Sequence, residues 1–291
     1  MKQQNRIMLE TACSIAKKTH SKGILLYADM IQDYEALAKI GQEKQVELIL
    51  AIKDEGSFQD ASAIFKKVLR IPDVPLGRIN QMKMAIVQAL SKGLVKKGDK
   101  WVCLSGIPQI KVLDNLLILE FGKEFEIISS SDLPVISEIV MPEVFETVLN
   151  LALEISIEGK EGRKPIGAIF VLGKHEEVLR FSHPMVINPF QGYPEEERNI
   201  LDPRLKETVK EFSSIDGALI FREDGIILAA GRHLDASGEN IEIPLGLGSR
   251  HRAAAGITSL TDALAIVISE ETGGVRIFNH GKILMEIEKG E

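Results

Sequence analysis

The sequence predicts an α/β protein of two domains, an N-terminal sandwich on a mainly parallel sheet and a C-terminal α/β domain on a mixed sheet. Three observations predict it. In residues 1–125, apolar runs of strand length alternate with stretches of helical periodicity, the pattern of parallel strands joined by crossover helices. In the second half an Asp224-Gly225 turn between two apolar runs adds an antiparallel hairpin to the same kind of alternation. The chain's 291 residues exceed one typical domain and suit two.

The elements follow in order. Ile7, Met8, Leu9, Ala12, Ile15 and Ala16 recur at helical spacing, and residues 24–28 then read as a short buried strand. A helix over 34–40 precedes a strand over 46–52. Helices over 58–69 and 78–90 follow, before a strand over 101–104. No Gly-x-Gly-x-x-Gly or Walker pattern accompanies these strands, so the sequence gives no reason to place a dinucleotide or P-loop site there.

Residues 126–141 read as a linker, because Ser129, Ser130, Ser131, Asp132 and Pro134 form a turn-rich break. The domains are therefore expected at 1–125 and 142–291. Pro142 suits the first turn of a helix whose apolar stripe is Val144, Val148, Leu149, Leu151, Ala152 and Ile155. Pro165 ends the loop after it. Residues 166–172 are apolar on both faces and predict a central strand. Residues 188–202 are polar and proline-rich, which predicts a surface loop and contact surface. A helix over 205–212 returns the chain to a strand that begins at Asp216.

Charge is divided unevenly. Residues 1–125 hold 19 Lys+Arg against 14 Asp+Glu, a balance of +5, and the remainder holds 16 against 28, a balance of −12. The lysines of the first half are scattered over helix faces without a dense run or interleaved aromatics, so they read as solvated surface and no nucleic-acid partner is expected. No run approaches the roughly 18 uninterrupted apolar residues of a membrane helix. The two cysteines, Cys13 and Cys103, offer neither a disulfide framework nor a metal spacing. A cytoplasmic protein is expected.

The chemistry concentrates at Gly248-Ser249-Arg250-His251-Arg252. A loop, Pro244 to Gly248, precedes it, and an apolar helix beginning near Ala253 follows. The basic residues therefore fall at a helix N-terminus, where open N–H groups and the helix dipole favour anions. Upstream, Asp216-Gly217-Ala218 opens a strand; downstream, Ser269-Glu270-Glu271-Thr272-Gly273 closes one. Carboxylates at strand ends can hold a divalent metal, and arginine forks match polyphosphate oxygens. Taken alone, the three basic residues read more readily as solvated surface, and Glu270 and Glu271 read equally well as solvated strand-end charges, whereas a plain turn is a less natural reading of Asp216-Gly217, because Ala218 starts the strand directly. His20, His175, His183, His233 and His280 show no metal-binding spacing and read as surface or packed polar residues.

The order Asp-Gly-Ala, Leu-Gly-Ser-Arg-His-Arg-Ala-Ala, Thr-Asp-Ala and Ser-Glu-Glu-Thr-Gly resembles the diadenylate cyclase catalytic domain over roughly residues 140–286. One departure is Ser249, where that family commonly has threonine. The resemblance implies condensation of two ATP into cyclic di-AMP with release of two pyrophosphates. Metal-assisted attack of a ribose 3′-hydroxyl on the α-phosphate would occur across a face-to-face homodimer or a higher homo-oligomer. It implies Asp216, Arg250, His251 and Arg252 as catalytic. ATP would be held by these three basic residues with Gly217, Ala218, Leu234, Leu247, Gly248, Ser249, Ser269 and Glu270. Mn²⁺ or Mg²⁺ would sit at Asp216 and Glu271. Leu234 would lie against adenine, although its own context reads as strand packing. The opening helix, Lys18-Thr19-His20-Ser21-Lys22-Gly23 and the strand after it resemble the C-terminal, effector-binding domain of pyruvate kinase, as in archaeal diadenylate cyclases. A non-catalytic adenine nucleotide-binding sensor is the alternative reading.

Overall fold

The computed structural model describes residues 1–74, 76–121, 123, 136–158, 166–236, 244 and 246–288. The chain divides near residues 133 and 134 into two compact units.

The N-terminal unit runs α1 (Gln3–Lys18), β1 (Gly23–Tyr27), α2 (Tyr34–Lys44), β2 (Glu47–Ile52), α3 (Glu55–Ile64), β3 (Val68–Arg70), α4 (Arg78–Ser91), β4 (Lys100–Ile107) and β5 (Val112–Glu120). Its sheet has the order β3-β2-β1-β4-β5. The first four strands are parallel and β5 returns antiparallel to β4. Every residue of β1 is buried, as a central parallel strand requires. Two of the helices, α2 and α3, begin where the sequence offers a capping carboxylate: Asp33 accepts from the Ala36 N–H at 2.9 Å, and Asp54 from the Ser57 N–H at 2.8 Å.

Two expectations are corrected here. The helix expected over 58–69 stops at Ile64, because Phe65 turns extended and Val68, Leu69 and Arg70 pair with Leu50, Ala51 and Ile52. The strand expected over 101–104 spans Lys100–Ile107, and β5, which was not expected, completes a hairpin with it.

The C-terminal unit runs α5 (Ile136–Ile139), α6 (Pro142–Glu158), β6 (Ala168–Leu172), α7 (His175–Arg180), β7 (Ser182–Pro184), α8 (Lys206–Phe212), β8 (Ala218–Phe221), β9 (Ile227–Leu234), α9 (Ser249–Leu260), β10 (Leu264–Ile268), β11 (Val275–Asn279) and β12 (Lys282–Ile287). The sheet order is β12-β11-β10-β6-β8-β9-β7. It is mixed, as expected: β6 and β8 run parallel, and the other described pairs are antiparallel. Gly225, at φ +94°, makes the β8–β9 turn.

Side-chain alternation gives this sheet two apolar faces. Ile169 and Val171 of β6 and Ala265 and Val267 of β10 point to one face, where Ala254, Ala255 and Ile257 of α9 cover them. The stripe of α6 packs on β10 and β11 and contributes nothing to that cluster, so it covers the opposite face. Of the expected linker, residues 126–135 lie outside the described residues, as does Pro165. Residues 136–139 are helical, with Ile136 and Val140 buried. The segment 188–202 is more than a surface loop. Phe190 is buried against Phe212, with ring centroids 5.4 Å apart, and Asn199 bridges to Ile226.

Candidate active site

The cavity that gathers most of the expected residues has a volume of ≈ 550 Å³ and lies at the N-terminal end of α9. One wall is the segment Gly246 to His251, and the other is the strand-end turn Ser269 to Thr272 with Arg276. Leu245 and residues 237–243, which precede this wall, lie outside the described residues. Gly248 is the N-cap of α9 in extended conformation, and no side chain caps the helix there. The N–H groups of its first turn are thus left to an incoming anion. The residues that begin this helix share the cavity with Arg250, so helix dipole and guanidinium act on the same space.

Arg250 occupies the meeting point of three elements. Its Nη1 donates to Glu270 Oε2 at 2.7 Å, and its Nη2 lies 3.6 Å from Asp216 Oδ1. The guanidinium therefore stands between a carboxylate leading into β8 and one leaving β10. Gly167, just before β6, makes the room. A Cβ on Gly167 would fall 2.7 Å from Arg250 Nη1 and 3.0 Å from the Cβ of Glu270.

Asp216 lies two residues before β8 rather than in it, and its side chain is 74% exposed. The Gly217 N–H donates to Asp216 Oδ1 at 3.0 Å. Gly217 has φ +101°, and a Cβ there would be 2.7 Å from the Arg232 nitrogen. Conformation and space both demand glycine, which holds the carboxylate out from the strand end. Ala218 is buried in the α9 cluster.

The three basic residues separate, because successive helix positions turn by about 100°. Arg250 enters the cavity. His251 is buried, its ring 6.1 Å from that of Phe278, and its Nε2 is the partner of Arg276 Nη1 at 2.9 Å. Burial, followed by the charges of Arg276 and Arg250, pushes the His251 pKa down to about 4. The ring is neutral at pH 7 and Nε2 accepts from the guanidinium, so His251 is a wall-forming acceptor and not a third cation. Arg252 is exposed and is not among the cavity's lining residues.

The other expected residues divide similarly. Leu247, Gly248, Ser249, Ser269, Glu270 and Glu271 line the cavity. Ser269 Oγ accepts from the Thr272 N–H at 3.3 Å and closes the turn. Leu234 is buried among Ile169, Ile220 and Ala255, with Leu247 packed against the same cluster. Its side chain belongs to the core at the cavity's margin. Two positions that shape the cavity are not visible from sequence. Gly167 signals nothing without its distance to Arg250. Arg276 looks like an ordinary strand residue, yet it lines the cavity and bonds His251 and Glu286 of β12, with its Nε buried and unpartnered.

Among the described residues no group of three or more His, Cys, Asp or Glu side chains could hold a metal ion. What the site offers instead is single carboxylates, of which Asp216 is the most open beside Arg250, and these suit a cation such as Mg²⁺ or Mn²⁺ that is bound through one or two carboxylates plus substrate phosphates. Among the described residues, too, no helix is long and apolar enough to cross a membrane.

A sheet with a helix end, an arginine and carboxylates converging on one cavity defines a nucleotide-binding α/β domain. Comparison with known proteins carries this further. A family model described as "DisA bacterial checkpoint controller nucleotide-binding" matches residues 156–283, and one described as "Probable sensor domain DacZ_P" matches residues 4–126. The chain is 32% identical over 279 residues to a diadenylate cyclase of Methanocaldococcus jannaschii, covering 94% of this chain and 85% of that one. It is 31% identical over 217 residues to a diadenylate cyclase of Haloferax volcanii, covering 72% and 75%. A 72-residue stretch is 46% identical to the cyclic di-AMP synthase CdaA of Bacillus subtilis, covering 25% of this chain and 26% of that one. The chain belongs to the diadenylate cyclase family.

Proposed function

We propose that this protein condenses two ATP molecules into cyclic di-AMP and two pyrophosphates, with the catalytic domain at 142–291. The observation that carries the reading is the convergence of Asp216, Arg250 and Glu270 at the open N-terminus of α9. The family membership says which nucleotide chemistry such a site performs.

In each half-reaction the ribose 3′-oxygen of one ATP attacks the α-phosphorus of the other in line. A P–O bond forms, the bond from the α-phosphorus to the bridging oxygen breaks, and pyrophosphate leaves while the hydroxyl proton passes to solvent. The α9 N–H groups and Arg250 receive the phosphates and offset charge on the leaving group. Glu270 fixes the guanidinium plane through its 2.7 Å bond. His251 holds Arg276 at the cavity wall, and Ser249 and Ser269 supply hydroxyl donors. Asp216 and Glu271 would hold a divalent cation, Mn²⁺ or Mg²⁺, which when bound lowers the pKa of the attacking hydroxyl. Arg252 and Leu234, which do not line the cavity, would serve phosphate and adenine only at its edge.

Each chain would hold one ATP, and two chains would meet face to face so that a two-fold symmetric product forms between them. The buried free thiols Cys13 and Cys103 suit a reducing cytoplasm, where we place the enzyme.

The test is to incubate the full chain with ATP and Mn²⁺ and identify products by mass, beside Asp216→Asn. Cyclic di-AMP is expected from the parent. The variant should lose at least about 100-fold in turnover while binding ATP within a few-fold. Unchanged ATP with measurable binding would instead establish a nucleotide sensor.

A further inference from the structure

Side-chain alternation puts Arg276 of β11 on the face of the sheet that α9 covers. It stands directly across from Val267 of β10 and Glu286 of β12, and Phe278, two residues on, belongs to the same apolar cluster as Val267. Its side chain is 11% exposed. Two arms of the guanidinium are held there: Nη1 donates to His251 Nε2 at 2.9 Å, and Nη2 pairs with Glu286 Oε1. The third group, Nε, is buried without a partner. A buried donor with its bond unmade costs stability, and an apolar side chain of similar volume often replaces a buried ion pair without loss. Stability alone therefore gives no account of an arginine at this position.

Its contact with His251 does. A guanidinium nitrogen can only donate, so Nε2 is the accepting, proton-free nitrogen of the ring. Burial and the neighbouring guanidinium charges keep the ring uncharged at neutral pH, which leaves it a single N–H. That proton sits on Nδ1, since the bond made by one ring nitrogen sets the state of the other. The consequence reaches the active site, because His251 and Arg276 both line the cavity at the start of α9. With the Nε2 lone pair occupied, the polar group the ring still has to offer is a donor. The other tautomer would carry a lone pair on Nδ1, which phosphate oxygens repel.

We propose that Arg276 is a positioning residue for the nucleotide chemistry of this site: anchored by Glu286, it fixes the ring proton of His251 on Nδ1, so that the imidazole meets a triphosphate as a donor. The inference rests on the cyclase reading for the reaction that is helped, but the place of the proton is measured without turnover.

The experiment labels the histidines of the full chain with nitrogen-15 and reads their ring nitrogens by long-range proton–nitrogen correlation at neutral pH without metal, with His251→Gln identifying the signal by its loss. In parallel, cyclic di-AMP formation gives kcat and KM for ATP. The parent should show the Nδ1–H form. Arg276→Met, which keeps the bulk and removes the donor, should shift the ring toward the Nε2–H form and lower kcat about ten-fold, with KM within about three-fold. Its melting temperature should stay within a few degrees of the parent, an outcome that a merely structural arginine would not give. Arg276→Lys, which can still donate to Nε2, should keep the Nδ1–H form and recover most of kcat. If the methionine variant does not fold, Glu286→Gln carries the test from a more exposed position: a mixture of ring forms and a loss in kcat of about three-fold are expected. The Nε2–H form in the parent, an unchanged ring form in the variants that lower kcat, or a loss confined to KM would overturn the proposal. A parent that shows the Nδ1–H form and makes no cyclic di-AMP would overturn the cyclase reading and the positioning role with it, while leaving the proton where it is placed here, so the two failures read differently.

Discussion

Arg250 shows how much of this site depends on what a neighbouring residue lacks. Its guanidinium lies where a Cβ on Gly167 would be, 2.7 Å from Nη1. The nearest clashing atoms are the far end of the Arg250 side chain, and the Glu270 Cβ at 3.0 Å has to give by only a few tenths of an ångström, so Gly167→Ala should leave the fold intact and push the guanidinium off Glu270 and Asp216. Steady-state kinetics should then show kcat/KM for ATP lowered about ten-fold, with a melting temperature within a few degrees of the parent. Full activity in this variant would mean that the observed placement of Arg250 is not the working one. The Arg-His-Arg motif is legible in the sequence as one basic cluster at a helix start, but its three members are not legible as different. Residue type is written in the sequence, whereas direction is set by the helix step of about 100° and by what each side chain then meets. Arg250 meets carboxylates and His251 meets Arg276, while Arg252 is exposed.

Three elements are tied through that histidine. His251 of α9 accepts from Arg276 of β11, which pairs with Glu286 of β12. The tie makes stability depend on pH with a definite sign. The ring's pKa is about 4 in the folded chain against 6.5 for the free side chain, so above pH 6.5 neither state carries the proton. As pH falls from 6.5 toward 4, the unfolded chain binds a proton that the folded chain refuses, and stability declines by up to about 3 kcal/mol. His251→Gln keeps an acceptor without titrating. Urea unfolding should show the parent losing stability relative to this variant over that window; parallel pH profiles would remove the argument. The elements themselves were legible in proportion to their burial. The stripe of α6 and the apolar run of β6 are long and fully covered, so periodicity reveals them. The edge strands were lost for the converse reason: β3 has three residues, and β5 is only partly buried, so neither carries a clear period.

At the scale of the whole molecule, the decisive fact is stoichiometry. A product made from two ATP needs two nucleotides at one locus, and among the described residues Arg250 is placed in the cavity at the start of α9. Asp216, 74% exposed, is turned toward solvent beside that cavity. Close by, an apolar stretch follows β7: Ile187 is 94% exposed, Met185 46% and Val186 39%. Val186 packs over Gly231, whose carbonyl carbon lies 2.7 Å from where a Cβ on Gly217 would be, so the stretch borders the Asp216 loop. An exposed apolar rim around an open carboxylate is what a second copy would cover. Below the dissociation constant of the pair, the dimer fraction falls with concentration, so turnover per chain should fall in proportion on dilution and saturate above it. Ile187→Asp, a charge placed on this apolar stretch, should move that onset to higher concentration while leaving turnover at saturation unchanged. Sedimentation in parallel with product formation reads both quantities. A preparation that sediments as monomer and still forms cyclic di-AMP at full rate per chain would show that one copy suffices, and the face-to-face arrangement would have to be abandoned.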